Sequence, residues 1–262
     1  MRAYYINLAS RTDRREAIER QLSALGLISE RVEAVLFENM PARLQARFTA
    51  KMKIGQREFS TTASHLAAYG RFLATGDRYA LIVEDDVVLS TALPGFLAAL
   101  EAHSETIDLL RLETFGNPQQ LSTQPLESMD GYGLHSLHGW AWGAAAYVVS
   151  RDAARRLSTS EQTLGGAIDR VLYRPNRMHI EPLVRRQLIP ALAIQQDRMP
   201  GAIWGGDSDL KAARTAMIAA HKPGWRLRIA DFAENEVRIG LASTIHRLLG
   251  RSTKRDVPFR PE

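Results

Sequence analysis

Three consecutive acidic residues follow a run of apolar, largely β-branched residues near position 80. The segment Ala80-Leu-Ile-Val-Glu-Asp-Asp-Val-Val-Leu89 places Glu84, Asp85 and Asp86 directly after a stretch that is typical of a buried strand. Carboxylates at the end of a buried strand repel one another and lose hydration, and a divalent metal ion is the simplest partner that stabilises them. A solvated acidic turn is the alternative interpretation of the same residues.

Polar and basic side chains also follow the first apolar segment of the chain. The segment from Ala3 to Leu8 is typical of a buried strand, and Asn7, Arg11 and Arg14 lie between its end and the first turn of the next predicted helix. A helix N-terminus favours anions, and an Arg side chain offers two parallel donors to a phosphate. These residues therefore predict a nucleotide-binding site, with a solvated helix surface as the alternative for Arg11.

A scaffold has to bring these segments together, and the pattern of the chain indicates which one. Apolar segments typical of strands alternate with amphipathic segments typical of helices, which predicts an α/β sandwich with a mixed, largely parallel sheet. Ligands in open α/β sheets bind at the carboxyl ends of strands, where the acidic residues should lie. The predicted strands are residues 3–8, 31–37, 79–83, 107–112, 134–138, 144–149 and 188–194.

The predicted helices begin near Ser10 and at Asp169, and also cover residues 60–75, 93–102 and 151–157. Residues 116–129 are rich in Gln, Ser and Pro and are predicted to form a polar loop. Pro190 interrupts the last apolar segment, which predicts an edge strand or a short one.

The composition is that of an ordinary soluble globular protein. The 262 residues are 45% hydrophobic and 24% charged, and the absence of cysteine excludes disulfides, thiolate zinc sites and cysteine nucleophiles. The first residues lack the apolar core of a signal peptide, and glycines, histidines and tryptophans interrupt the longest uncharged run, residues 131–150. We therefore expect a cytoplasmic protein.

Positive charge is concentrated towards the C-terminus. The formal net charge is +5, and the residues from Lys211 to Glu262 contain 11 Lys or Arg against 5 Asp or Glu. Because the remainder is close to neutral, we do not expect a nucleic acid partner. We divide the chain into a main domain, residues 1–209, and a basic helical C-terminal segment, residues 210–262. Its apolar and basic spacing predicts a helix that docks on the anionic surface of the inner membrane, or else packs on the main domain.

Several short segments occur in order along most of the chain. They are Tyr4-Tyr-Ile-Asn-Leu-Ala-Ser-Arg-Thr-Asp-Arg-Arg15, Ser64-His65, Glu84-Asp-Asp86, Gly143-Ala-Ala-Ala-Tyr147, Ser150-Arg151, Ile168-Asp169 and Pro190-Ala-Leu-Ala-Ile-Gln195. Together they resemble glycosyltransferase family 25, which includes bacterial lipooligosaccharide galactosyltransferases and the collagen galactosyltransferases. The chain departs from the family at Glu58-Phe-Ser-Thr61, where the family has Glu-Ile-Gly-Cys, and at Ala9, where it often has an acidic residue.

The resemblance implies a GT-A-like, nucleotide-sugar-binding enzyme. It would move a hexose, such as galactose or glucose, from a UDP-sugar to a sugar hydroxyl of a lipopolysaccharide, a lipooligosaccharide or another glycan or glycolipid acceptor, with inversion. It implies a Mn²⁺ or Mg²⁺ cofactor, since an ion held by oxygen ligands neutralises the departing diphosphate. Asp86 and Glu84 are the expected metal ligands, while Glu84 or Asp85 would contact the donor ribose or a metal-bound water. A nucleotidyltransferase and an inactive glycan- or lipid-binding relative are the competing hypotheses.

The resemblance also implies donor-binding roles at positions that match the motifs of the family. This donor-binding set is Asn7, Leu8, Arg11, Arg14, His65, Glu84, Asp85, Trp142 and Gly143. One of Trp140 and Trp142 is expected to stack on a sugar ring, unless both side chains simply fill the core.

An inverting transferase needs a general base beside the acceptor hydroxyl, and two carboxylates qualify about equally. Asp169 opens a predicted helix, and Glu113 ends a predicted strand. The alternatives are that Asp169 only stabilises the helix N-terminus and that Glu113 only pairs with Arg111 or Arg151.

Overall fold

The computed structural model describes residues 1–48, 54–160, 162–173, 183–199 and 244–262. Its strands are β1 (Arg2–Asn7), β2 (Ser29–Glu33), β3 (Tyr79–Glu84), β4 (Val87–Leu89), β5 (Leu109–Arg111), β6 (Glu113–Thr114), β7 (Gln119–Ser122), β8 (Glu127–Met129), β9 (Tyr132–Ser136), β10 (Ala146–Ser150), β11 (Arg185–Ile189), β12 (Ala193–Gln195) and β13 (Ser252–Arg255). Its helices are α1 (Thr12–Ala24), α2 (Ala42–Gln45), α3 (Gln56–Leu73), α4 (Leu93–Ala102), α5 (Arg151–Thr159) and α6 (Ile168–Tyr173).

The main sheet is mixed, with the strand order β2-β1-β3-β10-β5-β11-β9-β8. Strand β1 is parallel to β2 and β3, and β5 is parallel to β11, whereas β10 runs antiparallel between β3 and β5. Two smaller sheets, β4-β12-β6 and β13-β7, continue from this core. The predicted α/β fold with a mixed sheet is confirmed, and the carboxyl ends of β1 and β3 lie side by side.

Helices cover both faces of the main sheet, which explains why β3 reads as a continuous apolar run. Alternate side chains of β3 point to opposite faces. Leu81 and Val83 join the core that also contains α1 and α4 residues, whereas Ala80 and Ile82 join the core formed with α3, α5 and α6. Strand β3 is therefore buried on both sides up to Val83, and its acidic residues lie at the carboxyl-terminal edge of the sheet.

The structure differs from the predictions at residues 116–129, at the strand before Pro190 and at the start of α3. Residues 116–129 are not only a loop, since they contain β7 and β8, and β7 pairs with β13 from the end of the chain. The strand predicted at residues 188–194 is divided at Pro190 into β11, which lies inside the main sheet, and the three-residue β12 of a smaller sheet, so the strands are short but β11 is not at an edge. Helix α3 begins at Gln56, since the carboxylate of Glu58 accepts a hydrogen bond from the backbone N–H of Gly55 at 3.0 Å.

The last residues of the chain pack against the main domain. Strand β13 pairs with β7, and Val257 is buried with Leu121 and Ala191. The backbone N–H of Ala191 also donates to the carbonyl oxygen of Pro258 at 2.8 Å. Most of the basic helical segment predicted for residues 210–262 lies outside the described residues; residues 244–248 are helical. In the part of the chain that is described, no helix is long and apolar enough to cross a membrane.

Candidate active site

The acidic end of β3 is fixed by the end of β1. The parallel register pairs Ile6 with Glu84, which brings Asn7 beside the following residue, Asp85. The side-chain N–H of Asn7, which is 1% exposed, donates to Oδ2 of Asp85 at 2.6 Å and to the carbonyl oxygen of Arg11 at 3.0 Å. Asn7 therefore joins the acidic residues to the start of α1.

Helix α1 contributes one positive charge to this cluster. One nitrogen of the Arg14 guanidinium lies 3.4 Å from Oδ1 of Asp85 and 3.3 Å from Oδ2 of Asp86. The two aspartates share this partner because the chain turns at residues 85–86, between β3 and β4, so the strand alternation ends at Glu84. Arg14, Asn7 and the three acidic residues thus form one group, which we call the carboxylate cluster.

The carboxylate cluster has more negative charge than Arg14 can balance. Burial and the nearby charge of Glu84 together raise the pKa of Asp86 to about 7, although Arg14 opposes them. Burial also raises the pKa of Asp85, although Asn7 and Arg14 partly oppose that effect. Oδ1 of Asp86 is buried and has no hydrogen-bond partner among the described residues. The cluster is therefore suited to a cation.

The carboxylate oxygens of the cluster suit a metal ion that takes its remaining ligands from a substrate and from water. They suit a site enclosed by protein ligands alone less well. Nowhere in the described ranges do three or more His, Asp or Glu side chains converge to hold a metal by themselves. Mg²⁺ is usually held by one or two carboxylates together with substrate phosphates and water, and not by a complete cage of protein ligands. Asp86 and Glu84 could supply such a partial set of oxygen ligands.

His65 lies behind the carboxylate cluster and not in an open cleft. Its side chain is fully buried on α3, with Nε2 at 3.3 Å from Oε1 of Glu84 and Nδ1 at 2.8 Å from the hydroxyl of Tyr147. His65 was expected to contact the donor directly. Because burial separates its imidazole from solvent, the structure instead supports a contact between His65 and Glu84.

The segment Gly139-Trp-Ala-Trp-Gly143 forms a turn before β10, and we call it the tryptophan turn. The indole rings of Trp140 and Trp142 stack with centroids 4.0 Å apart and planes inclined by 33°. The guanidinium of Arg170, from α6, lies 5.7 Å from the centre of the Trp140 ring. Both indoles are only half-buried, so the pair presents apolar ring area that could stack on a sugar.

Buried polar groups hold the backbone of the tryptophan turn from below. Arg111 donates to the carbonyl oxygen of Trp142 at 2.5 Å, and its Nε lies 3.8 Å from Oε1 of Glu113. Oε1 of Glu113 accepts a hydrogen bond from the backbone N–H of Ala145 at 2.9 Å. Gly143, with a φ of +84°, lies directly against the Glu113 carboxylate. The contact between Glu113 and Arg111 that was an alternative to catalysis is therefore present, whereas Arg151 instead binds backbone carbonyls near Thr75.

Asp169 and Glu113 differ in their access to solvent. Glu113 is 0% exposed, and burial raises its pKa to about 8, with the charges of Glu84 and Asp86 adding to the effect of burial while Arg111 lowers it. Asp169 is half-buried beside the tryptophan turn, and burial raises its pKa, while backbone hydrogen bonds at Arg170 and Gly143 lower it. Of the two, Asp169 is the carboxylate that a second substrate could reach.

The structure gathers most, but not all, of the predicted residues. Leu8 takes part through its backbone carbonyl, which accepts from the N–H of Arg11 at 3.0 Å. The Arg11 side chain pairs with Asp13 at 2.9 Å and thereby lowers the pKa of Asp13 to about 2. The backbone carbonyl oxygen of Arg11 contacts the cluster, since it accepts the hydrogen bond from Asn7.

Two contributors were missed by reasoning from the sequence. Tyr147 stood within a motif that carried the resemblance, but nothing marked its hydroxyl as a partner of His65. The side chain of Gln195 hydrogen-bonds to Asp86, and the backbone N–H of Gln196 donates to the Asp86 carbonyl oxygen at 2.7 Å. Gln195 and Gln196 directly follow a buried apolar segment, and this position could have indicated that they lie near the acidic residues.

Comparisons with known proteins agree with one another at the level of sequence. Residues 1–172 match the sequence model described as glycosyltransferase family 25, LPS biosynthesis protein. The lipooligosaccharide biosynthesis protein lic2B of Haemophilus influenzae is 27% identical over 210 residues, covering 75% of this chain and 76% of that protein. The lacto-N-neotetraose biosynthesis glycosyltransferase LgtE of Neisseria meningitidis is 26% identical over 164 residues, or 59% of each chain.

Similarity to solved structures is looser. A glycosyltransferase involved in the glycosylation of the major capsid of PBCV-1 aligns with 82% of this chain and 98% of its own, at 12% identity and a TM-score of 0.41. The inositol-1-phosphate CTP transferase from T. maritima aligns with 83% of this chain and 96% of its own, at 11% identity and a TM-score of 0.38.

Proposed function

Because the chain belongs to glycosyltransferase family 25, the LPS biosynthesis family, we propose that it transfers a hexose from a UDP-sugar to a sugar hydroxyl of a lipopolysaccharide or lipooligosaccharide acceptor. Galactose and glucose are the proposed hexoses. The observation that carries the proposal is the carboxylate cluster, whose excess of negative charge and unpartnered Asp86 oxygen suit a cation and a diphosphate. The names of the relatives support the class of acceptor.

In this proposal Asp86 and Glu84 hold a Mn²⁺ or Mg²⁺ ion. When bound, such an ion supplies positive charge that stabilises the departing diphosphate. Glu84 is the better candidate for a contact with the donor, since its side chain is 26% exposed while that of Asp85 is 11% exposed. Asp85 is already engaged by Asn7 and Arg14, and it serves to hold the end of β1, the start of α1 and the end of β3 in register.

Asp169 is the proposed general base. In an inverting transfer the acceptor oxygen attacks the anomeric carbon, the bond to the diphosphate breaks, and the base accepts the hydroxyl proton. Asp169 is half-exposed, and a raised pKa improves a carboxylate as a proton acceptor near neutral pH. Glu113 is fully buried beneath Gly143, and it instead positions the tryptophan turn, whose stacked indoles are proposed to bind the acceptor sugar.

The end of the chain is proposed to dock on an anionic membrane surface. Ile245, Leu248 and Leu249 are 52%, 79% and 59% exposed, and in the sequence Arg247 lies among them and Arg251 follows them. Exposed apolar side chains interleaved with basic ones are typical of helices that lie in a membrane interface. Such docking would bring a cytoplasmic enzyme to the inner membrane, where a lipid-linked acceptor would be presented.

A donor screen tests the proposed function. The purified chain is incubated with separate UDP-hexoses and a lipooligosaccharide acceptor, in Mn²⁺ or in EDTA, and release of UDP is measured. We expect acceptor-dependent UDP release with one UDP-hexose, which EDTA abolishes. Pyrophosphate release from a nucleoside triphosphate and a sugar phosphate, with no UDP-hexose consumed, would instead favour a nucleotidyltransferase.

A further inference from the structure

A line of buried hydrogen bonds leads from the interior of the protein to the carboxylate cluster. The hydroxyls of Tyr69 and Tyr147 are 2.5 Å apart, the Tyr147 hydroxyl is 2.8 Å from Nδ1 of His65, and Nε2 of His65 is 3.3 Å from Oε1 of Glu84. The tyrosines and the histidine are all 0% exposed, while Glu84 is partly open to solvent. We call these four side chains the tyrosine–histidine relay.

The fold fixes each member of the relay. His65 and Tyr69 are one turn apart on α3 and therefore share a helix face. Tyr147 lies on β10, which pairs with β3 so that Tyr147 is opposite Ile82, two residues before Glu84. The rings of His65 and Tyr147 stack with planes 18° apart. The relay thus links helix α3 to the end of β3 along the face of the sheet that α3 covers.

The direction of the relay follows from what each end can donate. An ionised Glu84 carboxylate only accepts hydrogen bonds, so Nε2 of His65 must carry a proton. Nδ1 is then an acceptor in the neutral ring, and Tyr147 donates to it while accepting from Tyr69. The opposite direction would require a charged imidazole and would leave the buried Tyr69 hydroxyl as a donor, for which the described residues offer no acceptor.

We propose that Tyr147, supported by Tyr69, is a positioning residue that holds His65 in its Nε2–H tautomer, so that His65 orients Glu84 towards the UDP-sugar. The inference rests on the proposed function, since the donor is what Glu84 would contact. Because the relay is buried, water does not replace a hydroxyl that is removed from it. The hydroxyl of Tyr147 therefore controls the orientation of the Glu84 carboxylate, which is two hydrogen bonds away.

A double-mutant cycle tests whether Tyr147 acts through His65. The variants are Tyr147→Phe, His65→Gln and the two together, and Tyr69→Phe tests the far end of the relay. Gln can donate to Glu84 through its side-chain amide, and because an amide has no tautomers, that donor does not depend on the Tyr147 hydroxyl. We expect Tyr147→Phe to lower kcat/KM for the donor roughly tenfold in the presence of His65, and less than about twofold in the H65Q background. Tyr69→Phe should have a smaller effect than Tyr147→Phe.

Equal losses from Tyr147→Phe in both backgrounds would show that the hydroxyl acts by packing and would overturn the proposal. A second measurement does not need activity. The ¹⁵N NMR resonances of the histidine rings, with His65 assigned by its loss in H65Q, report the tautomer in the intact chain. We expect Nε2–H in the wild type and a shift of the Nδ1 resonance in Y147F. An Nδ1–H tautomer or an imidazolium in the wild type would refute the relay, whether or not Y147F folds. If no UDP-sugar is consumed while the tautomer is as expected, the proposed function fails and the relay stands.

Discussion

A Cβ atom on Gly143 would lie 3.0 Å from Oε2 and 3.1 Å from Oε1 of Glu113, so the backbone of the tryptophan turn rests directly on a buried carboxylate. This contact joins two motifs that are 30 positions apart in the sequence. It explains why a glycine follows Trp142, since φ at this position is also +84°, a conformation that residues with a Cβ rarely adopt.

We expect Gly143→Ala to destabilise the protein by more than backbone strain alone. Gly116→Ala is the matched control, because Gly116 has a similar φ of +74° but no atom within 4 Å of the position of a Cβ. The control should cost about 1–2 kcal/mol of unfolding free energy from the left-handed conformation. Chemical denaturation should show a larger loss for G143A, and equal losses would contradict the contact with Glu113.

Glu113 predicts a specific pH dependence of stability. Its pKa is raised from 4.5 to about 8 in the folded state, so between those values the folded chain binds a proton that the unfolded chain has lost. The stabilisation is complete below pH 4.5 and is lost as the pH rises through 8. The free energy of unfolding should therefore fall with rising pH, by at most about 1.4 kcal/mol per pH unit from this one group.

Glu113→Gln isolates this contribution, because the amide keeps the shape and an acceptor for the N–H of Ala145. Urea denaturation from pH 5 to 9 should show a smaller loss of stability in E113Q than in the wild type. Parallel curves for the two proteins would mean that Glu113 does not titrate in this range.

Asp169→Asn should remove the general base while leaving the fold intact. We expect kcat to fall by about 10²–10⁴, with little change in the affinity for UDP, because the carboxylate is proposed to act on the acceptor hydroxyl. Asp152→Asn is the control, since Asp152 is a 54% exposed residue on α5. Steady-state kinetics with a saturating acceptor check the prediction, and near-normal kcat in D169N would exclude Asp169 as the base.

The sequence was informative where a local pattern has a local cause. The apolar run before Glu84 and the helix at residues 93–102 could be predicted because burial imposes a periodicity on neighbouring residues. The grouping of Glu84, Asp85 and Asp86 with Asn7 and Arg14 followed from the rule that ligands gather at the carboxyl ends of strands.

Other features depend on contacts that no local pattern records. Sequence reasoning ranked Asp169 and Glu113 about equally as bases, because each was predicted at one terminus of an element and only burial separates them. Strand β7 looked like a polar loop because its partner, β13, lies more than a hundred residues later in the chain. The role of Tyr147 depends on a hydroxyl that meets a histidine from a different element.

Membrane docking predicts that removing apolar side chains at residues 248 and 249 weakens binding to anionic vesicles. We expect the wild type to cosediment with phosphatidylglycerol-containing vesicles and the L248Q/L249Q double variant to bind at least about a hundredfold more weakly, since each buried Leu contributes about 1.5–3 kcal/mol. Leu126→Gln is the control, because Leu126 is also a half-exposed Leu, at 54%, but lies before β8. Equal binding by all three proteins, or binding to neutral vesicles alone, would contradict docking through this segment.

Calorimetric titration of UDP into the wild type and into Asp86→Asn, each in Mn²⁺ and in EDTA, tests the central claim that the carboxylate cluster holds a metal and a nucleotide diphosphate together. The wild type should bind UDP much more tightly with Mn²⁺ than with EDTA, and D86N should bind UDP equally weakly in both. Wild-type binding that is indifferent to Mn²⁺, or a metal-dependent gain that survives in D86N, would contradict the assignment of Asp86 and of the cluster.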